Sequence, residues 1–163
     1  MIIHCSKDFA KRYKCRMSLA APTVSPPSRI DSWSAHIFKR GPAPVVIFMH
    51  DASLWALIIP ATGITRLEQL LPLFLSRVQE VWRRHGASFD PRNQSILFLP
   101  RKARSLIGSM NDAIQNIKLM ADIGRAVDHP VHWVKLEDSI QNTPFSAIDY
   151  DSPERRLKAI LGG

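Results

Sequence analysis

The sequence predicts an α+β fold, with a small mixed or mostly antiparallel sheet packed against two main helices. Three observations predict it. Short apolar stretches with strand character are interspersed with two long stretches of helical period, without the regular βαβ alternation of a parallel doubly wound sheet. Hydrophobic residues make up 45% and charged residues 22% of the 163, the usage of a chain that buries a core. That length suits one domain over 1–163, and no apolar run reaches the roughly 20 residues that span a bilayer. No membrane partner and a cytoplasmic location are therefore expected.

The elements follow in order. Met1–Cys5 reads as a short strand, and Asp8–Tyr13 as a basic helical turn whose start Asp8 favours. Residues 20–29 hold three prolines, Pro22, Pro26 and Pro27, which remove backbone donors and predict a flexible loop. Trp33–Phe38 alternates Trp33, Ala35 and Ile37 with Ser34, His36 and Phe38, the pattern of a half-buried strand. Val45–Met49 and Leu54–Ile59 flank His50-Asp51-Ala52-Ser53 and read as a β-hairpin through a polar turn.

Thr65 and Glu68 have the spacing of a capping box. Behind them Leu67, Leu70, Leu71, Phe74, Val78, Val81 and Trp82 share one helical face, with Pro72 predicting a kink or a restart and Gly86 a stop. Ser95–Leu99 reads as a strand stopped by Pro100. A second helix is expected from Ser105 to Ile123, ended by Gly124. His132–Leu136 reads as a last strand, Glu154–Leu161 as a small helix, and the tail from about Asn142 as peripheral.

Charge narrows the function classes. The net charge is +8, and it is uneven. Residues 1–16 carry Lys7, Lys11, Arg12, Lys14 and Arg16 against Asp8, a net +4. Residues 77–104 carry Arg77, Arg83, Arg84, Arg92, Arg101, Lys102 and Arg104 against Glu80 and Asp90, a net +5. The rest of the chain sums to −1. Such asymmetry points to an anionic partner, nucleic acid first, or to an acidic protein; a charge that serves only solubility is the alternative.

Several blocks carry a resemblance. Trp33-Ser34-Ala35-His36, the turn His50-Asp51-Ala52-Ser53, and Arg104-Ser105-Leu106-Ile107-Gly108-Ser109-Met110-Asn111-Asp112 resemble an uncharacterised bacterial family, the domain of unknown function numbered six-nine-three-three. Asn142-Thr143-Pro144-Phe145 and Ser152-Pro153 resemble its closing segment. The likeness runs from the first strand to about residue 160. At the turn the family has an Asn-Asp-x-Thr-like tetrad, from which this sequence departs at His50 and Ser53. The resemblance implies fold and extent, and it brings no catalytic residues with it.

The candidate site is the start of the second long helix. On a helical wheel Leu106, Met110, Ala113, Ile114, Ile117, Met120 and Ala121 form a core face. Arg104, Gly108, Asn111, Gln115 and Asp122 lie opposite, with Lys118 and Asp112 at the margins. Cations beside the positive end of a helix dipole are unfavourable unless an anion is bound there. An anion is therefore expected at Arg101, Lys102, Arg104 and Ser105, with Asn111 and Gln115 alongside and Arg77, Arg83 and Arg84 as a supporting basic strip. Gly108 inside a helix invites close approach of another backbone or a ligand.

No Walker loop, GxGxxG or HExxH occurs. His129 and His132 form an HxxH run too isolated for zinc, so no metal and no cofactor are expected. His50, Asp51 and Ser53 read as turn chemistry rather than a triad. Cys5 and Cys15 are expected to be thiols. The function these residues predict is non-catalytic binding of an anionic partner, nucleic-acid backbone first. The alternatives are an enzyme acting on a small phosphate-bearing ligand, and an antitoxin-like or inhibitor module with an acidic target.

Overall fold

The computed structural model describes residues 1–18, 32–101, 104–126 and 132–162. The loop expected at 20–29, Lys102 and His129 lie outside the described residues. Among the described residues five strands form one sheet: β1 (Ile2–Cys5), β2 (Ser32–Arg40), β3 (Ala43–His50), β4 (Ala56–Pro60) and β5 (Leu97–Pro100), in the spatial order β4-β3-β2-β1-β5. β1 runs parallel to both of its neighbours, whereas β2, β3 and β4 are antiparallel. The sheet is mixed, and the fold is α+β.

Period-two alternation along β2 decides which face each side chain joins. Trp33 and Ala35 enter one core with Ile3, Phe48 and Leu57. Over that face lie α1 (Lys7–Tyr13) and α2 (Leu67–Arg84), which contribute Phe9, Tyr13, Phe74, Val78 and Trp82. Phe48 and Phe74 stack with ring centroids 4.0 Å apart, and Trp33 meets Phe74 edge-on. Phe38 joins the other core with Ile47, Met49 and Ile58, under α3 (Arg104–Ala126) and α4 (Trp133–Gln141). One main helix thus covers each face.

Several local expectations are corrected. His132–Leu136 is no strand: α4 occupies 133–141 because Leu136, Glu137, Ile140 and Gln141 are all buried at helical spacing. The capping box of Thr65 and Glu68 does not form. Instead Gln69 Oε1 accepts the backbone N–H groups of Thr65 and Arg66, both at 3.1 Å, and the helix starts at Leu67. It continues through Pro72 and stops at Gly86, whose φ of +77° suits the residue after a helix. α3 runs past Gly124 to Ala126. The segment after Asn142 is not peripheral: Phe145 and Ile148, and with them Leu157 on α5 (Pro153–Leu161), are buried in the two cores.

Along α3 the expected core face holds for Met110, Ala113, Ile114, Ile117 and Ala121, but Met120 is exposed at the stripe's edge. Arg104, Ser105, Gly108, Asn111 and Gln115 are exposed as the wheel places them. Gly108 is not explained by packing, since a Cβ there would meet no atom within 4 Å. Gly108→Ala is therefore expected to raise stability by about 0.5–1 kcal/mol, the helical cost of glycine. A lower urea midpoint in that variant would show that something approaches this backbone after all.

The free edge of β4 is closed by side chains. Ile58 N–H donates to Glu137 Oε1 at 2.6 Å, Ala56 N–H donates to Gln141 Oε1 at 3.2 Å, and Gln141 Nε2 donates back to Ala56 O at 2.5 Å. Two residues one turn apart on α4 thus take the place of a neighbouring strand, covering an edge that would otherwise pair with another chain.

Candidate functional site: the carboxyl ends of β1 and β5

β1 leads into α1 on one face of the sheet, and β5 leads toward α3 on the other. Chain leaving adjacent parallel strands toward opposite faces is the arrangement at whose carboxyl ends open α/β sheets hold ligands. Arg101 follows β5 directly. Its backbone N–H donates to Cys5 O at 3.1 Å, continuing the β1–β5 ladder, and its side chain crosses the end of β1. There Nη2 donates to Ala35 O at 3.2 Å and touches Met110 Sδ. The same carbonyl accepts Ser6 N–H at 2.9 Å, so the guanidinium sits where β1 turns into α1.

Arg101 is half-buried, and its Nε has no hydrogen-bond partner among the described residues. No carboxylate lies within 4.0 Å of it there. Burial holds its pKa below the ordinary arginine value, with Asp51 pulling it back from a distance. His36, on the sheet face toward α3, is a second orphan: its Nδ1 is buried without a partner among the described residues. Burial pushes its pKa down, Arg101 and Lys118 push the same way, and Asp8 opposes them. The imidazole is therefore neutral at pH 7.

Next to this site the sheet face carries a polar row that sequence spacing did not reveal. Asp51 accepts the hydroxyls of Ser32 at 2.5 Å and Ser34 at 2.7 Å, and His4 Nε2 lies 3.8 Å from the same carboxylate. Both oxygens serve as acceptors, and the serines donate to the acid rather than to a histidine. That is a fixed polar scaffold and not a nucleophilic triad. The clue lay in the strand alternation, which puts Ser34 on the same face as His36, while Asp51 is brought to Ser32 and Ser34 only by β2–β3 pairing. His50 and Ser53 stay in the turn, where His50 Nδ1 and Ser53 Oγ are 2.7 Å apart and Trp55 N–H donates to Ser53 Oγ.

The structure gathers only part of the expected anion site. Arg101 points inward, Arg104 and Ser105 lie exposed on the first turn of α3, and Asn111 and Gln115 lie farther along its outer face. The supporting strip is partly ion-paired. Arg77 is bound to Glu137 and Glu80, and Arg84 to Glu80, so their charges are compensated; Arg83 is exposed. No group of three or more His, Cys, Asp or Glu side chains converges as a metal site would among the described residues.

The two cysteines, ten residues apart, meet behind β1. The Cys15 thiol, half-buried, is held below the usual thiol range by the neighbouring Cys5, while Cys15 and burial push Cys5, whose Sγ donates to Ile3 O at 3.6 Å, far up. Iodoacetamide should therefore label Cys15 well before Cys5 in the folded protein, as peptide mass spectrometry would read; equal labelling would contradict this asymmetry.

The family model for a domain of unknown function, DUF6933, matches residues 2–156. That span takes in all five strands and the first part of α5. The chain belongs to this family. No curated protein matches the sequence. The DUF6933 match covers the ends of β1 and β5 and the Asp51 scaffold alike, and the description attaches no activity to either.

Proposed function

We propose that this protein binds an oxyanion-bearing ligand, a phosphate ester or a carboxylic acid, at the carboxyl ends of β1 and β5. One observation carries the reading: Arg101 is a half-buried cation with an orphan Nε and no carboxylate partner among the described residues. Cations removed from water are costly unless paired. An incoming oxyanion would pair with it, and the neutral His36 could donate a hydrogen bond beside it. Arg104 and Ser105 would form the rim, where the N-terminal end of α3 favours negative charge. We place this binding in the cytoplasm, where Cys5 and Cys15 stay thiols.

Nucleic-acid backbone is a second reading with its own support. Lys7, Lys11, Lys14 and Arg16 are exposed and in no ion pair among the described residues. It has lost the strip of Arg77 and Arg84, and an inward guanidinium suits a single anionic group better than a continuous backbone.

Thermal unfolding at constant ionic strength tests the site. Phosphate and citrate should be compared with chloride, for the wild type and for Arg101→Met. A ligand at a hundred times its Kd stabilises by about 2.7 kcal/mol, and the variant should lose this response while keeping its fold. A variant that responds like the wild type would remove this site from the proposal. Oligonucleotide binding that weakens steeply with salt, and survives Arg101→Met, would favour the second reading.

A further inference from the structure

We propose that the cleft between the end of α1 and the start of α2 is a separate oxyanion site that takes a phosphate group. The cleft has a volume of about 430 Å³ and is lined by Arg12, Tyr13, Lys14, Thr65, Arg66 and Glu68, among others. Three cations face one exposed carboxylate, and none of the three is in an ion pair among the described residues.

The start of α2 is open because its cap turns the other way. Arg66, at the N-cap position, makes no side-chain cap bond, and the residue types that do so best are Ser, Thr, Asp and Asn. Gln69 satisfies Thr65 and Arg66, one step too early to cover the helix itself. The N–H groups of Leu67 and Glu68 are left without an acceptor among the described residues. A cation at Arg66 is unfavourable beside that end of the dipole, and a bound anion reverses the sign.

A second observation points to the same ligand from the other wall. Tyr13 is only 4% exposed, and its hydroxyl is buried without a hydrogen-bond partner among the described residues. Burial pushes its pKa up, and the nearby Arg12 guanidinium offsets part of that push. Arg12 makes a long 3.4 Å contact to Ile64 O, and it lies over the Tyr13 ring close enough to act on its hydroxyl. A phosphate offers acceptor oxygens to all of these donors at once: two backbone N–H groups, a phenol, a guanidinium fork and an ammonium.

The test is an amide-resolved NMR titration of the full chain with inorganic phosphate at constant ionic strength. The Leu67 and Glu68 amides are expected to shift and saturate. Arg66→Ala should weaken that titration about tenfold, the loss of one charge-assisted contact, and Tyr13→Phe should weaken it less. Arg101→Met should leave it unchanged, which separates this cleft from the β1–β5 site. Parallel titrations with a nucleoside monophosphate and a short single-stranded oligonucleotide identify the source of the phosphate by whichever moves these amides at the lowest concentration. Unmoved amides in all three titrations, or an Arg66→Ala variant that titrates like the wild type, would overturn the site.

Discussion

Replacing Glu137 by alanine is expected to lower stability by about 3–5 kcal/mol, the cost of breaking a buried pair and leaving its partners unmet. Glu137 is 6% exposed, and two groups depend on it: the Ile58 N–H on the free edge of β4, and the Arg77 guanidinium. Urea unfolding at neutral pH measures this directly. A loss under about 1 kcal/mol would mean that water or a neighbour replaces the carboxylate.

Glu137→Gln separates charge from hydrogen bonding, because the amide oxygen can still accept from Ile58. Burial pushes the Glu137 carboxyl above its usual value near 4.5, with Ile58 N–H and Arg77 pulling back. The folded protein therefore binds a proton more readily than the unfolded chain. That contribution is fully present below the unfolded value and is lost as pH rises through the folded one. Stability measured from about pH 4.5 to 7 should thus fall more, or rise less, with pH in the wild type than in Glu137→Gln. Parallel curves would show that burial does not shift this group.

The second large effect is expected at Asp51. Asp51→Ala removes the acceptor for two serine hydroxyls, and Ser34 is fully buried. Hydrogen bonds to a charged group contribute about 1.5–3 kcal/mol each, so a total loss of about 2–4 kcal/mol is expected by chemical unfolding. Asp51→Asn should fall between, because its amide keeps one acceptor oxygen. If Asp51→Ala left the unfolding midpoint in place, the row of Ser32, Ser34 and Asp51 would be a solvated surface and not a scaffold.

Most of the fold was legible because its signals are local. The alternation of β2, the polar turn between β3 and β4, and the apolar face of α2 each sit within one stretch of sequence. α4 escaped for a physical reason. Its buried face includes Glu137 and Gln141, so a helical stripe reads as a short apolar run broken by polar residues. The polar atoms that hid the period are those that close the β4 edge, and nothing near 133–141 announces a strand at 56–60.

The candidate site divides along the same line. Exposed positions such as Arg104, Asn111 and Gln115 follow from helical period alone. The inward turn of Arg101 does not, since it depends on Ala35 and Met110 being brought to the end of β5. Likewise Ser32 and Ser34 reach Asp51 across 19 and 17 positions. The ion pairs of Arg77 and Arg84 show the limit of counting charge: Glu80 and Glu137 neutralise cations that a tally by stretch reads as free.

The place of β1 also sets an order of events. Its four residues pair with 32–35 on one side and 97–100 on the other, while β2, β3 and β4 are joined by short turns. The meander can form early from neighbouring segments, but β1 must wait for partners distant in sequence, whose loop-closure entropy is spent before their contacts form. During synthesis the first strand emerges long before β5, its last partner. Until then one side of β1 has no strand to pair with, and that interval is when a chaperone would find its apolar residues.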